Sequence, residues 1–235
     1  MTLCVEGVWI LGRQEGWVAF AWRGRCIPFY VHTSVQPEIV AALEKAAEMM
    51  RAPCSDIDIR IVGTTTQTLR PSLEGPNMNI IFLVPDYETL ERYAPGTYPY
   101  ADPYVALPLA FSSGEIRQAV IAFVGDIFER EHSCLPSFRR ADPVRVAMTA
   151  FASVLGLGAS DGQDSVTYSE RLGGMQTLEN SLCLDAPDKL QANDVGQLCS
   201  MYPIGRESNP CRSFSVGFAD FTDGVIAADV RATCD

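Results

Sequence analysis

Histidine is almost absent from this chain: His32 and His132 are the only two in 235 residues. A site built on three imidazoles is therefore excluded, because no other side chain supplies that ring. No Cys-x-x-Cys pair occurs, which removes the close spacing that structural zinc sites use to complete a tetrahedron. There is no run of 18 apolar residues, so no transmembrane helix is expected. Met1 to Gly12 lacks a basic stretch followed by a long apolar one and does not read as a signal peptide. Internal repeats, low-complexity tracts and interdomain linkers are missing as well.

The composition that remains is that of a globular chain, 47% hydrophobic and 20% charged, long enough to bury a sizeable core. One domain over residues 1–203 with a hairpin-like extension over 204–235 is expected. A formal charge of -11 disfavours nucleic acid and acidic membrane surfaces, both of which repel an anionic protein at long range. Eight cysteines, Cys4, Cys26, Cys54, Cys134, Cys183, Cys199, Cys211 and Cys234, are an even number scattered along the whole length. Scatter suits disulfides better than a metal cluster, and disulfides imply an exported protein, periplasmic or extracellular, whose signal peptide was removed and replaced by Met1. The alternative is a cytosolic protein with buried thiols. Spacing alone does not give the pairs, although Cys183 with Cys199 and Cys211 with Cys234 are locally plausible.

Hydropathy patterning divides the chain into elements. Val5 to Leu11, Trp17 to Trp22 and Ile27 to Val31 are apolar runs separated by polar turns, which predicts consecutive antiparallel strands. Pro37 opens a helix whose Ile39, Val40, Leu43, Ala46, Ala47 and Met50 share a face, and Pro53 closes it. Strands are expected at Ile57 to Val62, Met78 to Val84 and Glu115 to Val124. Between the last two, Ala94 to Ser113 carries Tyr98, Tyr100 and Tyr104 among four prolines and reads as an ordered loop. Such a tyrosine-rich loop either offers a binding surface or packs on its own body.

Asp142 is placed to cap a second helix with Pro143 at its first position. Its Val144, Ala147, Met148, Phe151 and Leu155 form one apolar stripe, and Gly156 and Gly158 stop it. A third helix is expected from Pro187 to Met201 with Leu190, Val195, Leu198 and Tyr202 on one side. A terminal hairpin is expected with strands at Phe214 to Phe218 and Val225 to Val230.

In this order the pattern resembles the metzincin-like zincin scaffold: strand, long helix, strands including an edge strand over a cleft, active-site helix, glycine turn and closing helix. Three segments carry the resemblance. Arg25 to Val31 with Ile39 to Met50 and Ile57 to Val62 looks like the first strand, helix and second strand. Phe151-Ala152-Ser153-Val154-Leu155-Gly156-Leu157 looks like the end of the active-site helix with its glycine turn. Leu190 to Tyr202 looks like the closing helix, with an Asp at its start and a Leu-x-x-x-Tyr end on the core. Cys134 to Gly173 is also similar to an uncharacterised bacterial family of exported zincin-like domains, in which Leu-Gly-Leu, here Leu155-Gly156-Leu157, is followed by an Asp and a Ser. Here those are Asp161 and Ser165 or Ser169. The resemblance implies an α+β fold: a zincin-like mixed sheet with a long N-terminal helix and a degenerate active-site helix, stabilised by disulfides.

The chemistry of a zincin needs two imidazoles one helical turn apart, a Glu beside the first and a third ligand past the glycine. Aligning Gly156 with the turn glycine puts Thr149 and Ser153 at the paired imidazoles, Ala150 at the general base and Ala159 at the third ligand. Hydroxyls are poor zinc ligands and a methyl cannot accept a proton, so neither metal nor cofactor is expected. The expected role is a non-catalytic binding or structural module, for which a protein or peptide is the expected class of partner. The alternative is an atypical hydrolase drawing on Glu129, Glu131 and His132 of the charged run Asp126 to His132, a run that equally suits a solvated turn.

Asp161 to Ser165 could arrange oxygens of Asp161 and Asp164 around calcium, but it lacks the ligand alternation and terminal Glu of a twelve-residue loop. Met175, after Gly173-Gly174, suits either a base turn under a metal or the core. Gly156-Leu157-Gly158 and Gly173-Gly174 do not join a strand to a helix start and do not read as phosphate loops.

Overall fold

The computed structural model of the protein describes residues 2–5, 8–11, 21–67, 78–86, 88–89, 104–110, 115–129, 131–134, 137–157, 165–167, 170–172, 175–177, 184–205, 214–215 and 231–232. Its centre is a six-stranded mixed sheet. The strands are β3 (Ala21–Trp22), β4 (Cys26–His32), β5 (Asp58–Thr65), β6 (Asn79–Val84), β7 (Tyr104–Ala110) and β8 (Glu115–Val124), in the order β3-β8-β6-β4-β5 with β7 also on β8. β5, β4, β6 and β8 run parallel to one another, β3 adds a short parallel pairing at the start of β8, and β7 is antiparallel to β8.

Parallel pairing requires a crossover, and the helix α1 (Pro37–Met49) supplies it between β4 and β5. Pro37 stands in its first turn and Ile39, Leu43, Ala46 and Ala47 are buried, with Met50 just beyond the last turn, as the stripe predicts. At thirteen residues it is of ordinary length rather than long. A second helix, α2 (Pro143–Val154), packs on α1 and on β7. A third, α3 (Ala192–Met201), follows late in the chain.

The inner strands β6 and β8 are buried on both faces, whereas β4 and β5 bury one. Ile27, Phe29 and Val31 of β4, Ile59 of β5, Ile81 of β6 and Ala119, Ile121 and Phe123 of β8 join the core made with α1 and α2. The alternate residues Ile80, Phe82, Val84, Val120, Ala122 and Val124 form a second apolar cluster on the other face, with Tyr30 packed against it. Near-continuous apolar strands are what burial on both faces demands. The expectation of consecutive antiparallel strands through Ile27 to Val31 is corrected by the pairing: β4 lies between β5 and β6 and is parallel to both. An antiparallel hairpin does open the chain, formed by β1 (Thr2–Val5) and β2 (Val8–Leu11).

Two buried amides set the register across the inner strands. Asn79 Nδ2 donates to Pro28 O at 2.8 Å and its Oδ1 accepts from Ala119 N at 2.8 Å, so one side chain joins β4 to β8 across the start of β6. Gln118 Nε2 donates to Met78 O at 2.7 Å. Pro28 is tolerated inside β4 because the pairing with β6 begins only at Phe29.

Other expectations need correction. Tyr104 to Ala110, read as part of a loop, is the edge strand β7, and Pro108 is tolerated there because an edge strand has neighbours on one side only. β5 runs on to Thr65, three residues beyond Val62. The closing helix begins at Ala192, not Pro187, because Gln191 and Asp194 form a capping box that fixes its start there. Three short antiparallel pairs complete the described structure: β9 (Glu131–Cys134) with β10 (Ser137–Arg140), β11 (Glu170–Leu172) with β12 (Met175–Thr177), and β13 (Phe214–Ser215) with β14 (Arg231–Ala232). The last lies within the expected terminal hairpin, with its second strand at 231–232 instead of 225–230. No helix among the described residues is long and apolar enough to cross a membrane.

Cys54 and Cys199 stand at disulfide distance, with Cα atoms 5.2 Å apart and 145 residues between them in sequence. This corrects the pairing of Cys199 with Cys183. α3 ends against the loop that leaves α1, where Ser55 bridges Pro203, Asp56 N donates to Tyr202 O at 3.3 Å and Ile204 N donates to Cys54 O at 3.2 Å. Proximity was set by tertiary contact rather than by spacing. Cys183, Cys211 and Cys234 lie outside the described residues. Cys26, at the start of β4, is a half-buried thiol.

Two measurements follow from this architecture. Cys54→Ser and Cys199→Ser each lower stability by about 2–5 kcal/mol in denaturant unfolding without reductant, and reductant removes the difference from wild type. Burial raises the Tyr30 hydroxyl above the usual tyrosine pKa. Folded protein then holds that proton more tightly than unfolded chain, so stability falls as pH rises from the ordinary tyrosine range through the raised value. Tyr30→Phe flattens that alkaline limb in a pH series of unfolding curves.

Candidate functional site

The resemblance points to α2, and α2 begins and ends as its sequence predicts. Asp142 Oδ1 accepts from Val144 N at 2.9 Å and Arg145 N at 3.4 Å, and Pro143 follows in the first turn. At the other end Gly156 takes φ +77°, a left-handed conformation that glycine adopts without a Cβ clash. Leu157 N donates to Ala152 O at 3.0 Å and Gly156 N to Ser153 O at 3.1 Å, the paired bonds of a Schellman ending.

Its burial differs from the expectation. Instead of one apolar stripe, every residue from Arg145 to Ala152 is buried, because α1, β7 and the sheet enclose the helix on several sides. Phe151 meets Phe29 of β4 with ring centroids 5.7 Å apart. A helix so enclosed cannot leave its terminal carbonyls to water. Trp22 Nε1 donates to Val154 O at 2.9 Å, and Tyr202 Oη donates to Leu155 O at 2.7 Å while accepting from Trp22 N at 3.3 Å. Asp142 Oδ2 accepts from Ala186 N at 2.9 Å.

The positions aligned with metal ligands are on this helix. Thr149 is buried and its Oγ1 donates to Arg145 O at 3.0 Å; Ser153 is half-buried and its Oγ donates to Thr149 O at 3.0 Å. Each hydroxyl commits its only proton to its own helix. Ala150, fully buried, carries only a methyl between them. Zinc is gripped by imidazole, thiolate or carboxylate, so this donor set does not fit it. Ala159, Asp161 and Asp164 lie outside the described residues. Among the described residues no three His, Cys, Asp or Glu side chains gather as a metal site.

The remaining described candidates lie on the turn after β8, on β9, on β7 and on β12. Glu129 lies exposed in the turn after β8, its Oε1 accepting from Gln36 Nε2 at 3.2 Å just before α1. Glu131 and His132 fall in β9, where the backbone register sets His132 opposite Arg139. Tyr104 is corrected outright as a binding-loop residue: it is buried in β7 with its ring centroid 5.8 Å from that of Phe123. Tyr98 and Tyr100 lie outside the described residues. Met175 belongs to β12, paired with Leu172, and not to a turn.

Arg145 carried no expectation, and together with Asp194, the Asp at the start of the closing helix, it holds Ser165. Arg145 is 1% exposed and its Nη2 donates to Ser165 O. Asp194, fully buried in the first turn of α3, accepts from Ser165 Oγ at 2.6 Å, Val166 N at 3.2 Å and Gln191 N at 3.2 Å. A charged residue within Val144-Arg145-Val146-Ala147-Met148 was the available signal, since a cation on an apolar face requires a partner. Compared with known proteins, the chain matches no family model and no curated sequence.

Tyr202→Phe removes the hydroxyl from a buried carbonyl and costs about 1–3 kcal/mol of stability. Ser153→Ala, which removes only a bond within the helix, stays within about 0.5 kcal/mol. Chemical denaturation of both variants under oxidising conditions makes the comparison.

Proposed function

We propose that this protein is an exported, metal-free zincin-like domain that binds a protein or peptide partner and does not cleave it. One observation carries the reading: the helix that ends at the Gly156 turn holds Thr149, Ala150 and Ser153 where the scaffold's chemistry needs imidazole, carboxylate and imidazole, and both hydroxyls donate to their own helix.

Several features support the scaffold. A parallel crossover through α1 precedes the helix, β7 is an antiparallel edge strand beside it, and α3 closes the domain with Leu198 and Tyr202 buried in the core. The Cys54 and Cys199 pair supports passage through an oxidising compartment. A scaffold that keeps its shaped framework but lacks a group able to activate water retains recognition as its remaining use.

The test is metal analysis together with a peptidase assay on the oxidised protein. No stoichiometric metal and no turnover are expected. Stoichiometric zinc, or turnover abolished by chelator, overturns the proposal. Turnover that resists chelator and vanishes in His132→Ala replaces it with the acid/base reading.

A further inference from the structure

The polar groups buried beneath α2 run out of the helix, through the turn at 165–167 and into α3. Arg145 meets the backbone of Ser165, while the hydroxyl of the same serine meets Asp194. The turn is tightened from within, since Thr167 N donates to Ser165 Oγ at 3.2 Å and the Ser165 and Thr167 hydroxyls are 3.0 Å apart. Asp194 in turn fixes the start of α3 through the Gln191 backbone. Ser165, Val166 and Thr167 are all buried. The turn is thus a buried connector gripped from two helices.

Placing ionic groups in the interior costs several kcal/mol each, so a guanidinium and a carboxylate persist there only when the bonds they make offset the loss of water. The location of these bonds gives them a use. Arg145 precedes Thr149 and Ser153 by one and two helical turns and so lies on their side of α2. In a zincin the cation is held from that side of the helix and from the chain beyond the glycine, which fastens the two together. Here the chain beyond Gly156 is fastened to the same helix by Arg145, and to α3 by Asp194.

We propose that Arg145, Ser165 and Asp194 form a latch that does without metal what a bound cation does in such scaffolds: it couples α2, the 165–167 turn and α3 so that they open as one unit. Its metal independence rests on the function proposed above; the coupling is a property of the fold and is tested separately.

Native-state hydrogen exchange on the full oxidised chain tests it, comparing wild type with Ser165→Ala, Asp194→Asn and Arg145→Met, each with and without chelator. Ser165→Ala is expected to raise exchange about tenfold at Val166 and Thr167 and, by the same factor, in α2 and α3, with β4, β6 and β8 still protected. Arg145→Met and Asp194→Asn produce the same joint pattern with larger factors, and chelator changes none of the profiles. Should either buried-charge variant fail to fold, Ser165→Ala, which leaves both charges in place, decides alone. Faster exchange confined to α3 or to the turn, with α2 at wild-type protection, overturns the latch. A chelator-induced loosening of α2 overturns its metal independence and the proposed function together, whereas uncoupled exchange without chelator sensitivity overturns the latch only.

Discussion

Enclosure of α2 is the constraint from which most of the structure follows. A helix exposed on one side can leave its end groups and polar side chains to water, but α2 is walled in by α1, β7 and the sheet. Most of its buried polar groups are then answered by protein. The answers come from far along the chain: Trp22 before the central strands, Ala186 and Tyr202 around α3, Ser165 from the turn between. Segments that are remote in sequence are drawn together because one helix needs their donors and acceptors. The same enclosure allows Val146, Ala147, Ala150 and Ala152 on α2, small side chains that let neighbours approach closely.

Much of the frame was legible in the sequence because its signals are local. Asp142-Pro143 and Gly156 mark the ends of α2, Pro37 and Pro53 bracket α1, and uninterrupted apolar runs mark β6 and β8. Strand direction was not legible. An apolar run such as Ile27 to Val31 suits an inner parallel strand as well as one arm of a hairpin, and only its pairing with β5 and β6 distinguishes them. β7 was hidden for a related reason: tyrosines and prolines signal irregular chain, yet Pro108 is accommodated at an edge where Leu107 and Leu109 continue the ladder.

Of the candidate site, residue types were legible in the sequence and long-range contacts were not. Two histidines in the whole chain and the Thr149-Ala150-Ser153 spacing can be read directly from residue types. The Arg145 and Asp194 network cannot, since its members are separated by tens of residues and meet only through the backbone and hydroxyl of Ser165. Cys199 shows the same limit of spacing: its partner at disulfide distance is Cys54, 145 residues away, and not the sequence-local Cys183.

The separation of Cys54 from Cys199 also bears on how the chain is made. Cys54 leaves the ribosome 145 residues ahead of its mate, an interval of roughly 7–30 s at ordinary elongation rates. Throughout that interval the earlier cysteine is without the partner it meets in the folded protein. Covalent closure between the α1 exit and α3 therefore cannot precede the synthesis of α3.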